Sequence, residues 1–270
     1  MTTPYAEVIG DPVSHSKSPL IHNFWLEKLR IEATYRTHHV LSDGLEAYFS
    51  HRRDDPDWRG CNITIPHKIA ALDHVSDPGG VRDTIGAINT VAHGPDGKMF
   101  GTNTDAAGFL GPILDVPLEG APIAVIGSGG AAQAILFALA QVGCGPVTIL
   151  ARNGLKAAAL LARFDLKGDV KPLGARLPQA ALLVNASPLG MKGQPALALD
   201  LAPLLETAIV YDIVYAPLET GLLKTARARG LETVDGLEML VAQAALAFEL
   251  FFDVAPPEGY DDALRALLIQ

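Results

Sequence analysis

The amino-acid sequence predicts an α/β protein built as two domains, and three observations carry that prediction. Short strand-like runs alternate with helical patterns along the chain, the order that arises when helices cover the faces of a sheet. From residue 122 onward the strand-like runs are apolar without alternation, as expected of parallel strands covered on both faces. The 270 residues are also enough for two modest domains with proper cores.

Taken in order, AEVIG (6–10) reads as a strand and DPVSHSKSP as a polar loop. Ser18 then serves as a helix N-cap with Pro19 at the first helical position. Leu20, Ile21, Phe24 and Leu26 follow at helical spacing. Further strands are predicted at 34–40, 61–65 and 88–93, the last closed by the hairpin turn GPDGK before MFGTN. A second block opens at 122–143 with an apolar strand, a glycine-rich turn and an alanine- and leucine-rich helix. Strands at 147–152, 181–187 and 208–215 follow, and LVAQAALAFELFF (240–252) reads as a packed amphipathic helix. Boundaries fall near 105 and 236, so that residues 1–104 and 236–270 form one discontinuous domain and 105–235 the other.

Composition removes several function classes. Hydrophobic residues make up 49% and charged residues 19%, as in an ordinary soluble globular protein. The net charge is −9 and no basic run exists to follow a phosphate backbone, which argues against nucleic acid as a partner. The N-terminus MTTPYAEVIGDP lacks the features of a secretory signal, and no apolar stretch approaches the roughly 18 residues of a membrane span. Cys61 and Cys144 are too few for a disulfide framework and read as two reduced, buried thiols in a cytoplasmic protein.

The turn Gly127-Ser128-Gly129-Gly130-Ala131-Ala132 fits G-x-G-x-x-A between a strand and a helix. Gly127 permits the tight turn, Gly129 the approach of a pyrophosphate, and Ala132 close helix–strand contact, while the helix N-terminus supplies amide donors. An NAD site places an acid roughly 20 positions further on. Here Ala151-Arg152-Asn153 stands there, with Lys156 close behind and no acid. Arginine can grip a ribose phosphate with paired donors, so the predicted cofactor is NADP.

In GCNITIPHKIAAL (60–72), Lys68 follows a strand end, where α/β proteins commonly place their sites. GTNTDAAGF (101–109) offers Asn103, Thr104 and Asp105 just before a helix. An ammonium beside a nicotinamide can stabilise charge growing on a carbonyl oxygen and deliver a proton, while the carboxylate holds it in place. Thr64 and Asn89 suit recognition of a hydroxylated ring. His38 and His39, with His22 or His51, match no metal-ligand spacing. No metal is therefore expected. His67 reads as structural at a helix start, with an electrostatic influence on Lys68 as the alternative. Trp25 and Trp58 read as packing residues, and Asp54-Asp55 as a solvated turn.

Together these motifs resemble the shikimate dehydrogenase family over nearly the whole chain: HSKSP (15–19), NITIPHK (62–68), GAINT (86–90), NTD (103–105), GSGGAA (127–132), NASPLGM (185–191), DIVY (212–215) and DGLEMLVAQA (235–244) occur in order. The resemblance implies a discontinuous N-terminal substrate-binding domain and a Rossmann-type NADP-binding domain, with a cleft between them. It implies reversible NADPH-dependent reduction of 3-dehydroshikimate to shikimate, a step towards chorismate and the aromatic amino acids. Lys68 and Asp105 look like the family's catalytic pair. Ser16 and Ser18 would bind the substrate carboxylate, with Tyr215 reaching that end. Asn62, Thr64, Asn89, Asp105 and Gln243 would surround the ring hydroxyls. Gly127, Ser128, Gly129, Gly130 and Ala131 would cradle the pyrophosphate. Arg152, with Lys156 nearby, would hold the ribose phosphate, and Ile213 and Gly236 would border the nicotinamide. Many members carry Asn-Arg-Thr where this chain has Ala151-Arg152-Asn153, and a threonine where NASPLGM has Ser187. The alternative is a quinate/shikimate dehydrogenase using NAD or both cofactors. A monomer or homodimer is expected.

Overall fold

The computed structural model describes residues 3–94 and 96–270. Two compact units emerge, one running up to Gly108 and resuming at Val241–Gln270, the other comprising Phe109–Leu240.

The first unit is built on a five-stranded sheet in the order β2-β1-β3-β4-β5. Its strands are β1 (Tyr5–Gly10), β2 (Thr34–His39), β3 (Trp58–Ile63), β4 (Thr90–His93) and β5 (Met99–Thr102). The first three are parallel, while β4 and β5 form an antiparallel hairpin paired from Thr90↔Thr102 to His93↔Met99. In the GPDGK turn, the Gly94 N–H donates to the Lys98 carbonyl at 2.8 Å and Gly97 takes a φ of 74°, a conformation open to glycine. Pro95 of that turn lies outside the described residues. Helices α1 (Ser18–Leu29) and α2 (Leu45–Arg53) connect the parallel strands. On β1, the fully buried Glu7 is matched by Arg52 Nε at 2.6 Å and the Tyr48 hydroxyl at 2.8 Å. That leaves the carboxylate paired and hydrogen-bonded, the condition under which a buried charge persists.

The second unit carries a six-stranded, wholly parallel sheet in the order β11-β10-β9-β6-β7-β8. Its strands are β6 (Ile123–Ile126), β7 (Val147–Ala151), β8 (Gly168–Pro172), β9 (Leu182–Asn185), β10 (Ile209–Asp212) and β11 (Glu232–Val234). Every residue of β6, β9 and β10 is buried, which is why their sequences are apolar without alternation up to the terminal Asn185 and Asp212. The chain winds outward from β6 in both directions, so the strand order reverses between β6 and β9, the place where such sheets bind ligands. Helices α4 (Gly130–Gln141), α5 (Gly154–Arg163) and α6 (Gly221–Ala228) cover the sheet, with Leu222, Leu223 and Ala226 packed on Ala124, Leu150 and Val210.

Several local expectations need correction. Helix α1 begins at Ser18 itself, and its N-cap is Lys17 with no side-chain cap. The Ser16 hydroxyl instead accepts from the Ser18 N–H at 3.3 Å, so the capping function sits two residues earlier. Strand β3 ends at Ile63 rather than Ile65. Pro66 has no N–H for a ladder and restricts its predecessor, although the Thr64 N–H still reaches the Ile9 carbonyl at 2.9 Å. Strand β10 ends at Asp212 rather than Tyr215, because the Asp212 carboxylate takes the Val214 N–H at 3.1 Å and draws the chain out of the sheet. Helix α7 starts at Gly236 and runs to Phe252, with Asp235 accepting from the Leu237 N–H at 3.0 Å. Cys61 is buried, but Cys144 is only partly so; both are free thiols. Asp55 is more than a solvated turn residue, since it accepts from the Tyr5 hydroxyl at 2.6 Å. Among the described residues no helix is long and apolar enough to cross a membrane, and no group of three metal-binding side chains occurs.

Candidate active site

Lys68 and Asp105 meet in the first unit as an ion pair, with side chains only 15% and 6% exposed. Each is fixed by its own element. Lys68 lies in the turn after β3, where its carbonyl accepts from the Ile88 N–H at 2.7 Å. The neighbouring His67 is buried, with its Nε2 2.6 Å from the Val40 carbonyl; its ring therefore anchors the turn. Asp105 opens α3 (Asp105–Leu110). Asn103 caps that helix, accepting from the N–H groups of Asp105 at 2.9 Å and Ala106 at 3.2 Å, and its amide donates to the Ala87 carbonyl at 2.7 Å. The carboxylate is held on both oxygens: Lys68 binds Oδ2, and Asn89 Nδ2 donates to Oδ1 at 2.9 Å. A carboxylate secured in this way keeps the ammonium at one place, whereas a free lysine would sample many rotamers.

Around this pair the polar side chains form one connected set. Asn89 Nδ2 also approaches Thr104 Oγ1 at 2.9 Å and Gln243 Oε1 at 3.3 Å, while its Oδ1 accepts the Thr104 N–H at 2.7 Å. Asn62 donates to Thr90 Oγ1 at 3.0 Å, and Thr90 donates to Asn89 Oδ1 at 3.2 Å. Thus Asn62, Lys68, Asn89, Asp105 and Gln243 are brought together. Thr64 is half-buried beside Gly10, where an added Cβ would lie 2.5 Å from the threonine methyl. The hydroxyls of Ser16 and Ser18 lie 3.2 Å apart at the start of α1, and Lys17 between them donates to the Leu268 carbonyl of the C-terminal helix α8 (Asp261–Leu268). The Tyr35 hydroxyl joins this set by donating to Asn62 Oδ1 at 2.6 Å; the amino-acid sequence singles out neither Tyr35 nor Thr90, and names Thr104 only as a neighbour of Asp105. Thr90 and Thr104 lie inside the GAINT and NTD segments, whereas Tyr35 lies on a strand without any motif.

In the second unit, Gly127 has a φ of 109°, and a Cβ there would come within 2.9 Å of the Ala186 carbonyl oxygen. Glycine is required on both counts. A Cβ on Gly129 would meet nothing within 4 Å, so this face of the turn is open to an incoming group. Ser128 lies between them, and Gly130 and Ala131 begin α4, a 12-residue helix whose Ala132 is buried against the sheet. Bare amides, an open face and a helix N-terminus suit a pyrophosphate. Arg152 and Lys156 are exposed just beyond β7, and Asn153 caps α5 by accepting the Lys156 N–H at 3.0 Å. The asparagine at this departure from the family pattern is thus used by the helix. A Cβ on Gly236 would stand 2.4 Å from the Ile213 carbonyl oxygen, so these two backbones touch. Tyr215 is half-buried after β10.

A buried cluster beneath this region was not foreseen from the sequence. Asp212 accepts from Asn185 Nδ2 at 2.8 Å and Thr220 Oγ1 at 2.7 Å. Asn185 Oδ1 accepts from the Ser187 hydroxyl at 2.7 Å. Burial pushes the Asp212 carboxyl above its ordinary range, against the pull of these hydrogen bonds. The cluster ties the loops after β9 and β10 to the N-cap of α6.

Known proteins of the same kind share both sequence and architecture. Residues 8–91 match the model of the shikimate dehydrogenase substrate binding domain, and residues 236–268 that of the shikimate 5'-dehydrogenase C-terminal domain. The shikimate dehydrogenase (NADP(+)) of Sphingopyxis alaskensis is 64% identical over 267 residues, covering 99% of this chain and 97% of the relative. The crystal structure of shikimate 5-dehydrogenase from Thermus thermophilus in complex with NADP(H) and shikimate superposes with a TM-score of 0.85 at 38% identity, covering 98% of this chain and 99% of that one. Ligand-free 5-ketofructose reductase of Gluconobacter sp. strain CHM43 gives a TM-score of 0.87 at 28% identity, covering 100% and 98%.

Proposed function

This chain belongs to the shikimate dehydrogenase family, and on that premise we infer that it interconverts shikimate and 3-dehydroshikimate, with NADP as its cofactor. It is an oxidoreductase acting on a CH–OH group, in the pathway of aromatic amino-acid biosynthesis. The observation that carries the reading is the Lys68–Asp105 ion pair locked by Asn89 within a set of uncharged hydrogen-bonding side chains. The relatives from Sphingopyxis alaskensis and Thermus thermophilus favour shikimate and NADP(+) over the quinate reading with NAD.

The bound dinucleotide supplies the hydride. Reduction of the ketone leaves negative charge on its oxygen, and the Lys68 ammonium stabilises that alkoxide and protonates it. Asp105 holds the ammonium in position, and Asn89 holds Asp105. Asn62, Thr64, Asn89 and Gln243 recognise ring hydroxyls, and Ser16 and Ser18 donate to the carboxylate. The open face of Gly127–Ala131 fits the pyrophosphate. Arg152 supplies a ribose-phosphate partner, with Lys156 adding charge beside it. Residues 1–104 with 236–270 bind the substrate, and 105–235 the cofactor. The enzyme is placed in the cytoplasm, as a monomer or homodimer; its two free thiols fit a reducing compartment.

Shikimate oxidation followed by the growth of reduced-nicotinamide absorbance tests this function, with NADP, NAD and quinate compared in parallel. Shikimate with NADP is expected to give the highest kcat/KM. Equal or better efficiency with NAD, or with quinate, would contradict the assignment.

A further inference from the structure

Tyr35 has no part in the chemistry described so far, yet its hydroxyl joins the network that holds the substrate-binding groups, with Ser18 as a further hydrogen-bonding neighbour. It is 2% exposed on β2, and its hydroxyl lies 2.6 Å from Asn62 Oδ1. The surroundings fix the polarity of that bond. The other arm of the Asn62 amide lies 3.3 Å from the Asn89 carbonyl oxygen. A carbonyl can only accept, so that arm is the NH2 group, the amide oxygen faces Tyr35, and the phenol must donate. The same NH2 group donates to Thr90 Oγ1 at 3.0 Å, which commits both of its protons. Asn62 is left with an acceptor lone pair and no donor.

The Tyr35 ring is itself held. His22 stacks on it with ring centroids 4.0 Å apart and planes within 4°. Both His22 nitrogens are buried without a hydrogen-bond partner, so the imidazole acts there as a flat packing surface. Phe251 lies against the same ring at 6.3 Å between centroids. The stacked ring keeps the phenol oxygen beside Asn62, and the Asn89 carbonyl keeps the NH2 end of the amide turned away from it.

We propose that Tyr35 is a positioning residue for substrate recognition: by donating to Asn62 Oδ1 it locks that amide, so that the site presents an acceptor to a substrate hydroxyl that donates. The inference rests on the assignment of Asn62 to the substrate site and adds to it a hydrogen-bond direction. A substrate carrying only an acceptor oxygen at that place meets no donor from Asn62 and is disfavoured.

Steady-state kinetics on the full chain test it, using Tyr35→Phe, Asn62→Ala and the double variant with shikimate at saturating NADP. Phenylalanine keeps the ring and its stack and removes one hydroxyl. Tyr35→Phe is expected to raise the KM for shikimate about three- to tenfold, with kcat and the KM for NADP within about twofold. The double variant should be no worse than Asn62→Ala alone, as when one residue acts through another. An unchanged shikimate KM in Tyr35→Phe, with Asn62→Ala impaired, would overturn the inference. So would a lowered melting temperature with the KM of the active fraction intact, since that marks packing alone. A normal KM in Asn62→Ala would instead overturn the assignment beneath it.

Discussion

Lys68 and Asp105 are 37 positions apart, and a single asparagine decides how they meet. Asn89 donates to the Asp105 carboxylate and accepts the Thr104 N–H, so the carboxylate that holds Lys68 cannot turn without breaking the bond to Asn89. Burial acts on single residues elsewhere with a different consequence. His22 is fully buried with no hydrogen-bond partner, and desolvation lowers its pKa from 6.5 to about 3. Below pH 6.5 the unfolded chain takes up a proton that the folded chain refuses, until the pH nears 3. Its contribution to stability is therefore complete above pH 6.5 and declines as the pH falls through that window. Between pH 7 and pH 5 this residue alone should cost about 2 kcal/mol of unfolding free energy. Urea unfolding of wild type and His22→Phe at both pH values checks it. A smaller loss is expected in the variant, and equal losses would contradict the argument.

At the scale of elements, the site depends on two helices approaching closely. A Cβ on Gly108 of α3 would lie 2.7 Å from Gln243 Cβ and 2.9 Å from its backbone nitrogen in α7. Backbone cannot yield as a side-chain tip can. Gly108→Ala should therefore push Gln243 away from Asn89 and Thr104, although alanine is ordinarily the better helix former. We expect a shikimate KM raised about tenfold and a stability loss of about 1–3 kcal/mol. KM measurement and denaturant unfolding of the variant check both; wild-type values for both would show that the approach has slack. The loop elements follow the same logic. Gly127 is fixed by its close approach to Ala186, while Gly129 faces open space, so the two glycines of one motif are needed for different reasons.

For the molecule as a whole, the parts legible in the sequence are those where one chemical pattern has one structural outcome. The apolar runs at β6, β7, β9 and β10 could only be covered strands, and the hairpin at β4–β5 was marked by its turn residues. The edge strands β8 and β11 leave no strand pattern to read: GDVKP has no buried residue, and β11 is only three residues long. Within the site, residues inside motifs were visible, and Tyr35 was not. Its role depends on Asn62, 27 positions away, and no local spacing encodes that meeting. The Asp212 cluster escaped for the same reason, since DIVY reads as strand until the carboxylate is seen to turn the chain.

The proposed reaction depends on the charge of one lysine acting at the substrate oxygen, and steady-state oxidation of shikimate by Lys68→Ala tests it most directly. Turnover should fall by about a hundredfold or more, with the shikimate KM within about threefold of wild type, because the ammonium matters most in the transition state. Turnover equal to wild type, or a loss confined to KM, would contradict it.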